Sequence, residues 1–172
     1  MDLKKYVRTI EDYPIDGISF KDITTLFKEP VAFKNVVDQI TNYCQGKGIT
    51  KIVSLESRGF IVGGALAYCL NAGFVPIRKK GKLPAEVLSE SYELEYGVDT
   101  IEIHIDALNE DDVVLIHDDL LATGGTALAA LYLVQQLKVK KIYFSFIIDL
   151  AFIQTDKKKE LANYETHSVI QY

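Results

Sequence analysis

The chain of 172 residues has only two cysteines, Cys44 and Cys69. They lie in helical patterns with neither C-x-x-C nor metal-ligand spacing, so we expect no disulfide framework and read both as buried thiols in a reducing compartment. Long apolar runs are also missing. The longest stretch, Phe60 to Leu70, is too short to cross a bilayer. Met1-Asp-Leu-Lys-Lys-Tyr has no apolar segment of the kind a signal peptide needs. These absences predict a cytoplasmic location and no membrane partner. Positive charge is not in excess: a net charge of −5 argues against broad binding to nucleic acid or anionic membrane. There is no internal repeat, low-complexity tract or linker-like shift in composition, so residues 1–172 are expected to form one domain. Neither G-x-G-x-x-G nor G-x-x-x-x-G-K-[ST] occurs, which removes the two commonest nucleotide-binding fingerprints.

What is present is an ordinary globular composition, 48% hydrophobic and 25% charged, and a regular alternation of patterns. Asp2 to Ile10 reads as a short amphipathic helix and Tyr13 to Pro30 as loop. Val31 to Cys44 has helical spacing, ended by Gly46 and Gly48. Lys51 to Leu55 and Phe74 to Arg78 read as strands, with a helix over Phe60 to Asn71 between them. Lys79 to Ser91 shows no period and is expected to be a mobile lid. Tyr92 to Tyr96 and Thr100 to Ile105 alternate and predict an antiparallel pair turning at Gly97. A strand over Val113 to Ile116, a helix over Ala127 to Leu137, a strand over Ile142 to Ile148 and an edge strand over His167 to Ile170 complete the chain. Strands alternating with helices predict an α/β fold with a central, mainly parallel sheet flanked by helices.

The most informative segment is Val114-Leu-Ile-His-Asp118-Asp119-Leu-Leu-Ala122-Thr123-Gly124-Gly125-Thr126. A buried strand runs into two adjacent carboxylates, then a loop of paired glycines and threonines, then a helix. The glycines supply the unusual backbone angles that a close-fitting anion requires. With Thr126 at the expected N-cap, the helix N-terminus points its free N–H groups at the loop. That describes a phosphate cradle. Two aspartates would repel a phosphate, so they suit neutral hydroxyls or a bridging cation beside it; together the features suggest a sugar phosphate. His117 reads as a packed or hydrogen-bonded histidine.

This segment resembles the phosphoribosyl-pyrophosphate (PRPP) motif of the type I phosphoribosyltransferases. In the form Asp-Asp-Leu-Leu-Ala-Thr-Gly-Gly-Thr it is similar to that of the adenine-specific branch. The resemblance implies that Asp118 and Asp119 bind the ribose hydroxyls. It implies that Ala122, Thr123, Gly124, Gly125 and Thr126 bind the 5′-phosphate. Three shorter segments follow the family's order. Glu56-Ser57-Arg58-Gly59 is, on its residues alone, equally a plain turn or an anion site; beside the main motif it looks like the pyrophosphate loop. Arg78-Lys79-Lys80-Gly81-Lys82-Leu83-Pro84 is a basic run leaving a strand's C-terminal end, where α/β folds bind ligands. There the resemblance assigns Arg78, Lys79 and Lys82 to pyrophosphate, partly across a dimer boundary. Phe20-Lys21-Asp22-Ile23 is similar to the base-recognition segment, with an aromatic ring to stack on adenine and Lys21 in place of the usual arginine; the resemblance assigns Ser19, Phe20 and Lys21 to adenine.

Glu93-Leu-Glu95-Tyr96-Gly97, read alone, is a pair of exposed glutamates on a hairpin. The resemblance makes Glu95 the general base and Tyr96 part of the lid. It also implies a type I phosphoribosyltransferase fold with residues 1–30 as a base-binding hood. The implied activity is purine salvage, joining adenine to PRPP with release of AMP and pyrophosphate, in a homodimer. Mg2+ would be held mainly through PRPP, with no metal ligand of the protein's own. Two alternatives are another transferase of this type, acting on hypoxanthine, guanine, xanthine or orotate, and a non-catalytic PRPP-sensing regulator on the same fold.

Overall fold

In the computed structural model the described residues are 1–93 and 97–172. Five strands form the parallel centre of the sheet. They are β3 (Lys51–Leu55), β4 (Gly73–Lys79), β7 (Val113–Leu121), β8 (Lys141–Asp149) and β9 (Thr166–Gln171). Hairpin strands β5 (Val87–Glu93) and β6 (Val98–His104) add an antiparallel edge, giving the order β5-β6-β4-β3-β7-β8-β9. The central strands are largely apolar because both faces are covered: residues 142–148 of β8 are all buried, with Ser145 the one polar residue among them.

Helices α2 (Pro30–Cys44) and α3 (Gly59–Leu70) cover one face, packing Val36, Ile40, Val62 and Leu66 on Ile52, Leu115 and Ile147. Helix α4 (Gly125–Gln136) covers the other, with Leu128, Leu131 and Val134 against Val53, Ile116 and Phe144. Each crossover returns the chain so that the loops after β3, β4 and β7 open at one end of the sheet. That end holds the site.

The fold class stands as expected, with local corrections. Asp2 to Ile10 is not one helix but a 3-10 turn, Leu3–Tyr6, followed by β1 (Arg8–Ile10). The presumed loop 13–30 contains β2 (Phe20–Asp22), antiparallel to β1, and the single-turn α1 (Thr24–Phe27). Arg8 Nε bonds Asp22 at 3.0 Å and fastens this two-stranded unit. Lys79 to Ser91 is not patternless: Val87 to Ser91 belongs to β5, which pairs with β6 from Val87↔His104 to Glu93↔Val98. The short α5 (Asp156–Leu161), capped by the Thr155 hydroxyl, was not anticipated. Cys44 is buried as expected, but Cys69 is exposed on α3.

Candidate active site

Strand β7 runs further than its apolar residues suggest, carrying Asp118 and Asp119 within the strand rather than after it. The Asp118 carboxylate turns back to accept the Asp119 amide at 2.8 Å. Gly59, the first residue of α3, allows this approach: a Cβ there would lie 3.0 Å from Asp118 Oδ1 and 3.3 Å from its Cα. Burial pushes the Asp118 carboxyl well above the usual carboxylate range, and the neighbouring Asp119 charge adds to it. Asp119 is also pushed up by burial, opposed by Arg58, whose Nε sits 2.7 Å from Asp119 Oδ2. Two adjacent carboxylates, Asp119 buried and Asp118 half-buried, share one guanidinium, and their remaining acceptor positions suit hydroxyl donors or a cation.

The loop after β7 is Ala122-Thr123-Gly124. Helix α4 starts at Gly125, so Thr126 is inside the first turn and Gly124 is the N-cap, two residues before the expected position. Gly124 has φ +87°, a conformation that disfavours any side chain. A glycine cap has no side chain to bond the first-turn amides, which stay available to an anion. Helix α5 supports this loop: the Thr155 hydroxyl donates to the Thr123 carbonyl at 2.6 Å. Lys158, tied to Asp149 at 2.7 Å, packs against Gly124.

Opposite this loop, Glu56 organises the basic run. Its carboxylate accepts the Lys79 amide at 2.9 Å, Arg78 Nε at 3.3 Å and Lys82 Nζ at 2.6 Å. Burial pushes Glu56 up, but these bonds outweigh it and hold the carboxyl below its usual range. Glu56 is therefore an anchor for the cations rather than a ligand for an anion. A second glutamate, Glu102 on β6, accepts the Gly81 amide at 2.9 Å and shapes the same turn.

Together these parts enclose a cleft of about 590 Å³ lined by Glu56, Ser57, Arg58, Lys79, Asp118, Asp119 and residues 120–127, with Tyr92 and Asp99 from the hairpin. Among the described residues no group of three or more His, Cys, Asp or Glu side chains could hold a metal ion.

Residues 24–168 match the family described as the phosphoribosyl transferase domain. The chain is 60% identical over 148 residues to an adenine phosphoribosyltransferase of Bacteroides thetaiotaomicron, covering 86% of this chain and 84% of that protein. It is 50% identical to that of Prosthecochloris aestuarii, covering 100% and 98%. The chain belongs to the adenine phosphoribosyltransferase family. Among solved structures, the Rhodothermus marinus enzyme superimposes with TM-score 0.90 at 48% identity, covering 99% of this chain and 96% of that one. The Giardia lamblia enzyme, complexed with 9-deazaadenine, gives 0.93 at 39% identity, covering 99% and 96%. These relatives do not favour a transferase for another base or a regulator.

Within this phosphoribosyltransferase scaffold, the residues expected for ribose and 5′-phosphate all line the cleft, as do Glu56, Ser57, Arg58 and Lys79. Arg78 and Lys82 do not; both pair with Glu56, which does. Of the hood residues, Phe20 lies edge-on to Tyr13 at 5.2 Å and under Arg58, whose Cζ is 5.7 Å from the ring centroid. Lys21 points elsewhere: its Nζ bonds Thr9 and Ser19 and sits 4.8 Å from the centroid of the Tyr172 ring. Ser19 Oγ bonds Glu11 at 3.3 Å, so neither Ser19 nor Lys21 turns its side chain into the cleft lining. Glu95 and Tyr96 lie outside the described residues.

His117 is fully buried, with Nδ1 2.9 Å from Ser145 Oγ, and burial pulls its pKa down to about 4. It is a packed, neutral histidine. Sequence reasoning missed Tyr92 and Asp99, which reach the cleft only through the β5–β6 pairing.

Proposed function

We propose that this cleft transfers the 5-phosphoribosyl group of PRPP to N9 of adenine, giving AMP and pyrophosphate, with residues 1–30 serving as the base-binding hood. The observation that carries the reading is that the Asp118–Asp119 pair, the Ala122–Thr126 loop and the Glu56–Arg58 turn face one cleft. In this reading the α4 N-terminus holds the 5′-phosphate, and Asp118 and Asp119 accept hydrogen bonds from the ribose 2′- and 3′-hydroxyls. The exchange frees Arg58 from Asp119 to meet the diphosphate. Lys79 joins it, and Glu56 holds Arg78 and Lys82 within reach of that end. Phe20 offers an aromatic face to the purine, and the Lys21 position reads the base through main chain.

The chemistry is displacement at ribose C1: the bond to N9 forms as the bond to the pyrophosphate oxygen breaks, and N9 loses its proton. We assign Glu95 to that proton and Tyr96 to covering the bound base. The protein contributes alignment and placed positive charge where the leaving group becomes more anionic.

Mg2+ fits this donor set. The Asp118 and Asp119 carboxylates share one guanidinium, Arg58, and a cation carried in by PRPP would offset the charge that burial makes costly there. When bound, the ion would supply partial neutralisation of the diphosphate.

A homodimer is supported by α3, whose outer face exposes Ile61, Gly64 and Tyr68 at helical spacing, with Tyr68 89% exposed, a surface suited to burial against a second copy. Cytoplasmic location is supported by the free cysteines. No described helix is long and apolar enough to cross a membrane. The test is AMP formation from adenine, PRPP and Mg2+: the wild-type chain should produce it and Asp119→Asn should lose most of it. Equal activity in both would overturn the assignment.

A further inference from the structure

Lys79 closes β4 and Asp99 is the second residue of β6, and the pairing of these strands brings Lys79 Nζ within 3.0 Å of Asp99 Oδ2. Both line the cleft beside Ser57 and Arg58. Asp99 is well fixed: Oδ1 accepts the Thr100 amide at 2.9 Å, and the hydroxyl of Tyr92, its cross-strand partner, approaches Oδ2 at 3.5 Å. Tyr92 in turn packs over Gly125 of the phosphate loop, 3.4 Å from where a Cβ would stand. A carboxylate in the wall of a cleft that receives a diphosphate opposes its ligand by like charge. Its placement on the lysine is what needs an explanation.

We propose that Asp99 is a positioning residue for pyrophosphate release: it holds Lys79 in the free enzyme, yields it to the diphosphate of PRPP, and takes it back as pyrophosphate departs. The inference rests on reading this wall of the cleft as the pyrophosphate site. Because the ligand must displace Asp99 from Lys79, both PRPP and pyrophosphate bind less tightly than Lys79 alone would allow. Weakening that applies equally to ground and transition states changes binding and release without changing the chemical step. The lysine is 58% and the aspartate 22% exposed, so the effect is that of a partly solvated pair, about two- to fivefold in affinity.

The experiment uses the full chain as wild type, Asp99→Asn, Lys79→Ala and the double variant. It measures inorganic pyrophosphate binding with Mg2+ by calorimetry, pyrophosphate release, and single-turnover AMP formation. Asparagine keeps an oxygen for the Thr100 amide, so the hairpin is preserved; Asp99→Ser is a second variant should Asp99→Asn fail to fold. We expect Asp99→Asn to tighten pyrophosphate about two- to fivefold and slow its release, with the single-turnover rate unchanged. Asp99→Glu should return affinity toward wild type. In the Lys79→Ala background the Asp99→Asn effect should largely vanish. Weaker pyrophosphate binding in Asp99→Asn, or an undiminished effect without Lys79, would overturn the proposal. Wild-type pyrophosphate affinity in Lys79→Ala would instead overturn the reading of this wall as the pyrophosphate site.

Discussion

Arg58 and Asp119 form a 2.7 Å ion pair that joins the turn after β3 to the end of β7. It ties the residue assigned to pyrophosphate to one assigned to ribose. In the free chain each satisfies the other; under the proposed assignments, PRPP would put hydroxyls in place of the guanidinium on Asp119 and its diphosphate in place of the carboxylate on Arg58.

Beside this pair, Asp118 should oppose stability for the sake of binding. Its folded pKa is raised by burial and by Asp119. The carboxyl therefore favours the folded state most at pH below its unfolded value, and that contribution is lost as pH rises through the raised folded value. We predict that Asp118→Asn raises the Tm of the ligand-free protein at pH 7, by about 2–4 °C for each kcal/mol relieved, has little effect near pH 4, and severely weakens PRPP use. Scanning calorimetry at the two pH values checks it; a lower Tm at pH 7 with normal PRPP affinity would contradict it.

Gly124→Ala should damage the phosphate loop specifically. The residue has φ +87°, and an added Cβ would meet Lys158 Cγ at 3.2 Å and Leu161 Cδ1 at 3.3 Å. A left-handed non-glycine residue costs about 1–2 kcal/mol. We expect a Tm lower by a few degrees and a raised KM for PRPP, with adenine affinity little altered. Steady-state kinetics with each substrate varied separates the two.

Glu95→Gln should lower the single-turnover rate by on the order of 10²–10⁴-fold, the usual contribution of a positioned general base. Glutamine retains the size and one acceptor oxygen, so PRPP affinity should stay close to wild type. Glu93→Gln, two residues earlier in the chain, is the control. A Glu95→Gln rate within about threefold of wild type, only ~0.7 kcal/mol, would move the base role elsewhere.

The parts of this site that were legible in the sequence are those whose residues adjoin along the chain. Asp118-Asp119, the Ala122–Thr126 loop and the Glu56–Arg58 turn each sit where a strand gives way to a helix, so their spacing alone places them at the ligand end of the sheet. The Lys79–Asp99 contact spans two strands and depends on register, which no local pattern encodes. The Thr126 cap was misplaced because a threonine before an apolar run looks like a cap, whereas the left-handed Gly124 already ends the loop. Strands β1 and β2 have three residues each, too short for alternation to appear. The hidden half of β5, Val87 to Ser91, alternates in burial from Leu88 onward, but one of its half-buried positions is Glu90, so no apolar alternation shows in the sequence. Helix α5 has six residues, under two turns, and its polar sequence carries no apolar stripe.

The central claim is that adenine is the base this cleft joins to PRPP. Its most direct test is a competition in which adenine, hypoxanthine and guanine are offered together with PRPP and Mg2+ and the nucleotides formed are separated and quantified. AMP should be the dominant product, and adding pyrophosphate with AMP should regenerate adenine and PRPP. Faster formation of the hypoxanthine or guanine nucleotide would contradict the account.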